Sequence, residues 1–128
     1  MNRFATKVVE EIKARELVEQ LLIDGIGQLD LFERQLTGTT YKGEFISLIA
    51  FIQHFASGGN PGKKVKYLKG VRDGVTEFEF IGKHLRIYAI QLTGKKIIIY
   101  GGTKKAADSS DNIAVFRNLK QKYLNSLK

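Results

Sequence analysis

Hydrophobic and polar residues alternate in the second half of the chain in a way that predicts three consecutive strands. In residues 77–80 aromatic side chains alternate with glutamates, so one face of this strand should be apolar. Residues 85–92 are apolar on both faces except at Arg86, which predicts a central strand, and the next apolar segment is 97–100. Two-residue turns separate the segments, which predicts an antiparallel meander within residues 77–101.

Apolar residues recur with helical spacing on both sides of this segment. Their i, i+3, i+4, i+7 pattern predicts a helix over 44–57 and a last helix over 111–126. Ser109 or Ser110 is the expected N-cap of the last helix. A shorter helical pattern covers residues 29–36.

The first 26 residues fit two templates. A loose helical stripe is formed by Val8, Val9, Ile12, Leu17, Leu21 and Leu22. An alternating strand pattern is formed by Leu17, Glu19, Leu21 and Ile23. Because the number of matches does not separate the templates, the pattern leaves the type of this element open.

Taken together, the elements predict a single α+β domain over residues 1–128. Pro61 is the only proline and lies among turn-forming residues, where it separates a helical first half from a sheet-rich second half. The expected architecture is a small antiparallel sheet packed against N-terminal helices and a C-terminal helix.

Composition excludes several classes of site. There are no cysteines, and therefore no disulfide, thiolate metal site or thiol nucleophile. The chain contains no run of about 18 apolar residues, so no membrane span is predicted. Glutamates occupy the start, where a signal peptide would need an apolar stretch. His54 and His84 lack carboxylates at ligand spacing, and no glycine-rich phosphate loop is present. We therefore expect a cytoplasmic protein with no metal, cofactor or membrane contact.

The net charge of +8 belongs to one half of the chain. Residues 1–62 contain six Lys/Arg and eight Asp/Glu, for a net charge of −2. Residues 63–128 contain fifteen Lys/Arg and five Asp/Glu, for a net charge of +10. A lysine-rich surface can serve solubility alone, but such concentration of charge favours a nucleic-acid or acidic-protein partner.

Arg86 is the most informative single residue because it interrupts an apolar strand. A buried arginine is costly unless it is paired or faces a wet cleft. Glu77 or Glu79 on the neighbouring strand could pair with it across the sheet. In the functional alternative, its planar guanidinium faces a concave surface and binds a phosphate.

Further cations flank the three strands. Lys104 and Lys105 follow a glycine pair at a strand end, where glycines would let a ligand backbone approach closely; a solvated loop is the plainer alternative. The candidate nucleic-acid-binding residues are Lys63, Lys64, Lys66, Lys69 and Tyr88. The lysines would line an approach path for a polyanion or else form a solvated edge. Tyr88, like Tyr67, would stack on bases or else belong to the core.

The order of these motifs resembles the RelE/ParE toxin superfamily, and within it the HigB-like, phage-derived branch. The resemblance rests on KYLKG, the strands EFEF, LRIYAI and KIIIYGG, the TKK that follows, and the helix DNIAVFRNLKQKYL. It covers about residues 63–124, and residues 1–26 would then be an added element.

The resemblance implies the toxin component of a type II toxin–antitoxin system, with a cognate antitoxin, mRNA and the ribosome as partners. Many RelE-like members cut mRNA in the ribosomal decoding site without a metal, by holding cations around the scissile phosphate. On this basis Arg86, Lys104 and Lys105 would be catalytic. Glu77, Glu79 and Ile81 depart from the family's basic positions. The alternatives are a ParE-like, non-catalytic inhibitor of a protein such as gyrase, and a plain RNA-binding module.

Overall fold

The computed structural model describes residues 2–104 and 110–128 and has an α+β fold. Its elements are β1 (Phe4–Val8), β2 (Leu17–Ile23), β3 (Ile26–Gly27), α1 (Gln28–Leu36), α2 (Lys42–Ala56), β4 (Val65–Tyr67), β5 (Glu77–Ile81), β6 (Leu85–Leu92), β7 (Lys95–Thr103) and α3 (Ser110–Ser126). The predicted helices 29–36, 44–57 and 111–126 are confirmed to within one or two residues at each end. Ser109 lies outside the described residues.

The sheet is larger than predicted and is mixed rather than antiparallel. Its strand order is β1-β2-β7-β6-β5-β4, and β3 pairs with β2 beside this path. The predicted meander of β5, β6 and β7 is confirmed, because both of its pairings are antiparallel and sequential. The prediction of a purely antiparallel sheet is wrong because β2 pairs with β7 in the parallel sense. A short turn cannot make such a connection, so no local signal announces it.

The N-terminal residues contribute strands and not a helix. β1 and β2 form an antiparallel pair that places Phe4 opposite Ile23. Residues 18–21 of β2 are buried on both faces, as expected for a strand between two neighbours. The helical alternative for this region is therefore wrong, and the strand alternative over residues 17–23 is confirmed.

Helices cover both faces of the sheet, so the fold has three layers. α1 and α2 lie on one face, and the buried side chains there include Phe32, Phe45, Leu48, Ile52, Phe78, Phe80, Leu85, Ile87 and Ile98. α3 lies on the other face, against Leu21, Tyr88, Ile90, Ile97 and Ile99. β6 is buried on both faces, as its apolar sequence predicts.

The pairing of β2 with β7 stops halfway along β7. The last registered pair joins Gln20 to Ile98, and beyond it Leu22 and Ile23 of β2 pair with β3 instead. Residues 99–103 of β7 therefore have no strand partner on that side within the described structure. α1 packs against this part of β7 instead, and the end of the sheet near residue 103 stays open between α1 and the start of α3.

Candidate nucleic-acid interface

Two of the three predicted catalytic cations lie at this same end of the sheet. Arg86 of β6 is opposite Gly102 of β7. Just beyond β7, the backbone N–H of Lys104 donates to the carbonyl of His84 at 2.7 Å. Arg86 and Lys104 are thus two positions apart in the pairing register, and we call this pair the cation corner. Lys105 lies outside the described residues.

Arg86 is held by the turn that precedes its own strand. Its Nη1 donates to the carbonyl oxygens of Gly82 at 2.5 Å and of Leu85 at 2.9 Å. The residue is only 7% exposed. Within the described part of the chain it has no carboxylate partner, so the predicted ion pair with Glu77 or Glu79 is wrong. The carbonyls orient the guanidinium and compensate its burial, and little of it remains open to a phosphate.

Glu77 is instead the centre of a buried ionic network. Arg117 donates to one of its oxygens from Nε at 3.1 Å and from Nη2 at 2.9 Å, and Lys120 donates to the other at 2.8 Å. Lys120 also contacts Asp73 at 2.6 Å. Glu77 and Lys120 are each 2% exposed. The network ties α3 to β5 and to the loop before β5.

The pKa of Asp73 reflects its place at the edge of this network. Burial acts to raise it, but the hydrogen bond and charge of Lys120, together with backbone N–H groups, hold the pKa below its ordinary value. Sequence reasoning missed the network because its partners lie on different elements, with Lys120 43 residues from Glu77.

Tyr88 lacks the exposed ring that base stacking needs. It is fully buried and stacks on Phe116 with ring centroids 5.3 Å apart, while its hydroxyl donates to Glu79 at 2.8 Å. The predicted base-stacking role of Tyr88 is therefore wrong, and its alternative, a place in the core, is confirmed. Tyr67 is 51% exposed and packs on Phe78.

Apart from the cation corner, the described cations of the basic half fall into two groups. One group is paired with acids: Lys95 with Glu19, Lys96 with Glu16, and Arg117 and Lys120 with Glu77. The other group is exposed and has no acidic partner among the described residues: Lys63, Lys64, Lys66, Lys69, Arg72, Lys83, Lys122 and Lys128. Folding thus engages several cations in ion pairs, and most of the free ones lie around β4 and the β5–β6 turn.

Four of these free cations lie in or beside the edge strand β4. We call Lys63, Lys64, Lys66 and Lys69 the β4 basic edge. Lys66 lies opposite Glu79 and so on the α3 side of the sheet. Lys64 lies on the α2 side, with Nζ 5.7 Å from the ring centroid of Phe51. The edge is a charged rim and not a single flat face. Lysines also protect an edge strand from pairing with other chains.

The glycine pair before Lys104 serves the packing of helices. The space that a side chain at Gly101 would need is filled by Phe32 of α1, and at Gly102 it is filled by Asn112 of α3. The predicted role in admitting a ligand backbone to the face of the strand therefore does not fit. What remains open is the unpaired side of β7, where α1, residues 100–103 and Asn112 line a pocket of about 380 Å³. We call it the end pocket.

Glu44 of α2 stabilises the turn between β5 and β6, just before Arg86. It accepts hydrogen bonds from the backbone N–H groups of His84 and Leu85, both at 2.7 Å, and lies 3.0 Å from Nδ1 of His84. Burial acts to raise the pKa of Glu44, but these hydrogen bonds and the nearby imidazole hold it below its ordinary value. Forty residues separate Glu44 from His84, and an acid in the first turn of a helix was the only local signal.

Across residues 2–104 and 110–128, no helix combines the length and the apolar character that crossing a bilayer requires. In the same residues no three acidic or histidine side chains converge as metal ligands would.

Comparison with known proteins finds no matching family model, no significant match among curated proteins and none among solved structures. The resemblance to the RelE/ParE superfamily consequently remains a prediction from the sequence motifs.

Proposed function

We propose that this protein is the toxin component of a type II toxin–antitoxin pair and acts on RNA, as a ribosome-dependent mRNA endonuclease in the cytoplasm. The observation that carries the proposal is the β4 basic edge. Its four exposed lysines have no acidic partner in the described structure, so their charge is available to a polyanion. The cation corner lies in the same sheet, where Arg86 is oriented by two carbonyls.

A second candidate function is favoured by the burial of Arg86. Catalysis at a scissile phosphate requires cations that touch it, and this guanidinium is 7% exposed. In the second candidate the protein is a toxin that inhibits by binding an acidic surface on a protein target, without cutting RNA. The same basic edge would then steer association with that protein.

RNA binding is tested by neutralising the β4 basic edge. The fourfold variant Lys63→Gln, Lys64→Gln, Lys66→Gln, Lys69→Gln should bind a single-stranded RNA oligonucleotide more weakly. The slope of log K against log salt should fall by about 0.7 for each phosphate that the variant no longer neutralises. Fluorescence anisotropy at several salt concentrations measures both quantities.

The matched control removes the same charge from elsewhere on the surface. Lys7, Lys13, Lys122 and Lys128 are exposed and are changed to glutamine together. This control should keep most of the affinity. Equal losses of affinity in the two fourfold variants would show that only net charge matters, and the β4 basic edge would then not be an RNA interface.

Toxicity and catalysis are tested in cells and on ribosomes. Expression of the protein should arrest growth, and co-expression of the cognate antitoxin should relieve the arrest. Purified protein should cleave mRNA on translating ribosomes, and Arg86→Ala should lower the rate roughly a hundredfold or more, with thermal melting as the folding control. Harmless expression at high level would contradict the toxin proposal. Growth arrest without cleavage would favour the protein-binding inhibitor.

A further inference from the structure

The end pocket exists because β7 extends beyond the last residue that pairs with its parallel neighbour β2. Pairing with β2 stops at Ile98, and α1 and the start of α3 wall the gap that follows. The lining includes Gly101, Gly102 and Thr103, the residue immediately before Lys104 of the cation corner. A group that enters the pocket therefore lies next to the residue that precedes one of the two corner cations.

Side-chain amides dominate the polar part of the wall. Gln28, Gln35 and Asn112 line the pocket together with the half-buried ring of Tyr100. An amide offers an acceptor oxygen and two N–H donors, which match the hydrogen-bonding edge of a base. An aromatic ring offers the apolar surface on which bases stack. Charged residues are absent from the lining described.

Two of the amides each have one N–H donor engaged by the protein. Asn112 Nδ2 donates to the carbonyl of Thr103 at 3.0 Å, and Gln28 Nε2 donates to the carbonyl of Ile26 at 3.1 Å. These bonds orient both side chains and leave each with its carbonyl oxygen and one further N–H. The two carbonyl oxygens can accept together from the two hydrogens of an exocyclic amino group, which cytosine has and uracil lacks.

We propose that the end pocket binds an unstacked, amino-bearing nucleobase of a single-stranded RNA whose backbone contacts Lys104. The inference rests on the proposed RNA binding and adds a preference for base identity. The cations supply affinity that does not depend on sequence, and the amides of the pocket supply discrimination.

The test compares two RNA oligomers of equal length and charge, oligocytidine and oligouridine, by fluorescence anisotropy. The parent protein should bind oligocytidine about threefold to tenfold more tightly, as expected for one or two neutral hydrogen bonds. Asn112→Leu should remove this preference while leaving the salt dependence unchanged. Gln121→Leu, the same kind of change at an exposed position of α3, should retain it. Gln28→Leu is the second variant, should thermal melting show that Asn112→Leu does not fold.

The outcomes separate the pocket from the proposed function. Equal affinity of the parent for both oligomers, or a cytidine preference that survives both Asn112→Leu and Gln28→Leu, would overturn the pocket inference while RNA binding stands. No binding of either oligomer at low salt would overturn both. Tight binding of cytidine monophosphate alone, unaffected by the fourfold lysine change, would assign the pocket to a free nucleotide and overturn its role in RNA binding.

Discussion

The two faces of the sheet are held to their helices by different forces. On the α1/α2 face aromatic rings pack on one another, as Phe55 does on Phe78 and Phe80 at centroid distances of 5.7 and 5.8 Å. On the α3 face there are polar contacts beside the apolar cluster. They are the buried network around Glu77 and the hydrogen bond that Tyr88 donates to Glu79.

The difference shows what determines the position of each helix on the sheet. Apolar contact is not directional, so α1 and α2 are held mainly by the area that they bury, to which Glu44 of α2 adds hydrogen bonds from the backbone N–H groups of His84 and Leu85. A buried ion pair is favourable only when its geometry is satisfied, and it penalises every arrangement in which one partner is left alone. The network therefore defines the position of α3 on the sheet and leaves little tolerance for other positions. The end pocket depends on this position, because Asn112 of α3 is part of its lining.

The largest expected effect comes from breaking the ionic network. Glu77→Ala leaves Arg117 without a carboxylate among the described residues and Lys120 with Asp73 alone. We expect the free energy of unfolding to fall by about 3–5 kcal/mol, measured by urea denaturation at pH 7. Glu33→Ala is the control on the other face, since it breaks the exposed pair with Lys42 and should cost no more than about 1 kcal/mol. Similar decreases in both variants would remove the distinction between the faces.

An intermediate effect is expected from the glycine pair, which touches both faces at once. Gly101→Ala forces a methyl group into the ring of Phe32, which is buried and has little room to move. This overpacking should cost about 1–3 kcal/mol. Gly102→Ala meets the amide of Asn112, which can rotate aside, and should cost less. Thermal melting of the two variants checks the order, and a greater decrease for Gly102→Ala would show that the α3 face is the less adaptable one.

The smallest effect concerns pH and compares an acid on each side of the sheet. Glu44 and Asp73 both have pKa values below their ordinary ones in the folded protein. The unfolded chain therefore takes up protons first as the pH falls, so the stabilisation present at neutral pH is lost below about pH 4.

Urea denaturation between pH 7 and pH 3 should show this decrease in stability in the parent protein. Glu44→Gln and Asp73→Asn should each flatten it, by a few tenths to about 1 kcal/mol. Glu44→Gln should have the larger effect, because Glu44 is less exposed than Asp73 and its two backbone hydrogen bonds at 2.7 Å are shorter than the one that Asp73 accepts from Val75 at 3.0 Å. A pH profile in both variants identical to that of the parent would exclude these carboxylates as a source of acid sensitivity.

Local patterns carried enough information for the elements but not for the partners of the charged residues. Arg86 was recognisable as unusual because it breaks an apolar strand, yet its carbonyl partners depend on how the turn at Gly82 folds back. Glu77 and Glu79 were placed correctly on one face of β5. Their actual partners, Arg117, Lys120 and Tyr88, come from α3 and from the opposing residues of β6.

The sequence by itself determined what depends on neighbours in the chain. Alternation and helical spacing define β5, β6, β7, α2 and α3, because the periods of strand and helix decide which side chains share a face. The turns between the three strands determine that they pair in sequence.

Tertiary structure alone decided what depends on distant segments. The parallel pairing of β2 with β7 joins residues nearly eighty positions apart, and it cannot be read from a turn. The end pocket follows from where that pairing stops, and the stacking of Tyr88 on Phe116 follows from the packing of α3 on β6. Both are consequences of long-range packing, which no local period encodes.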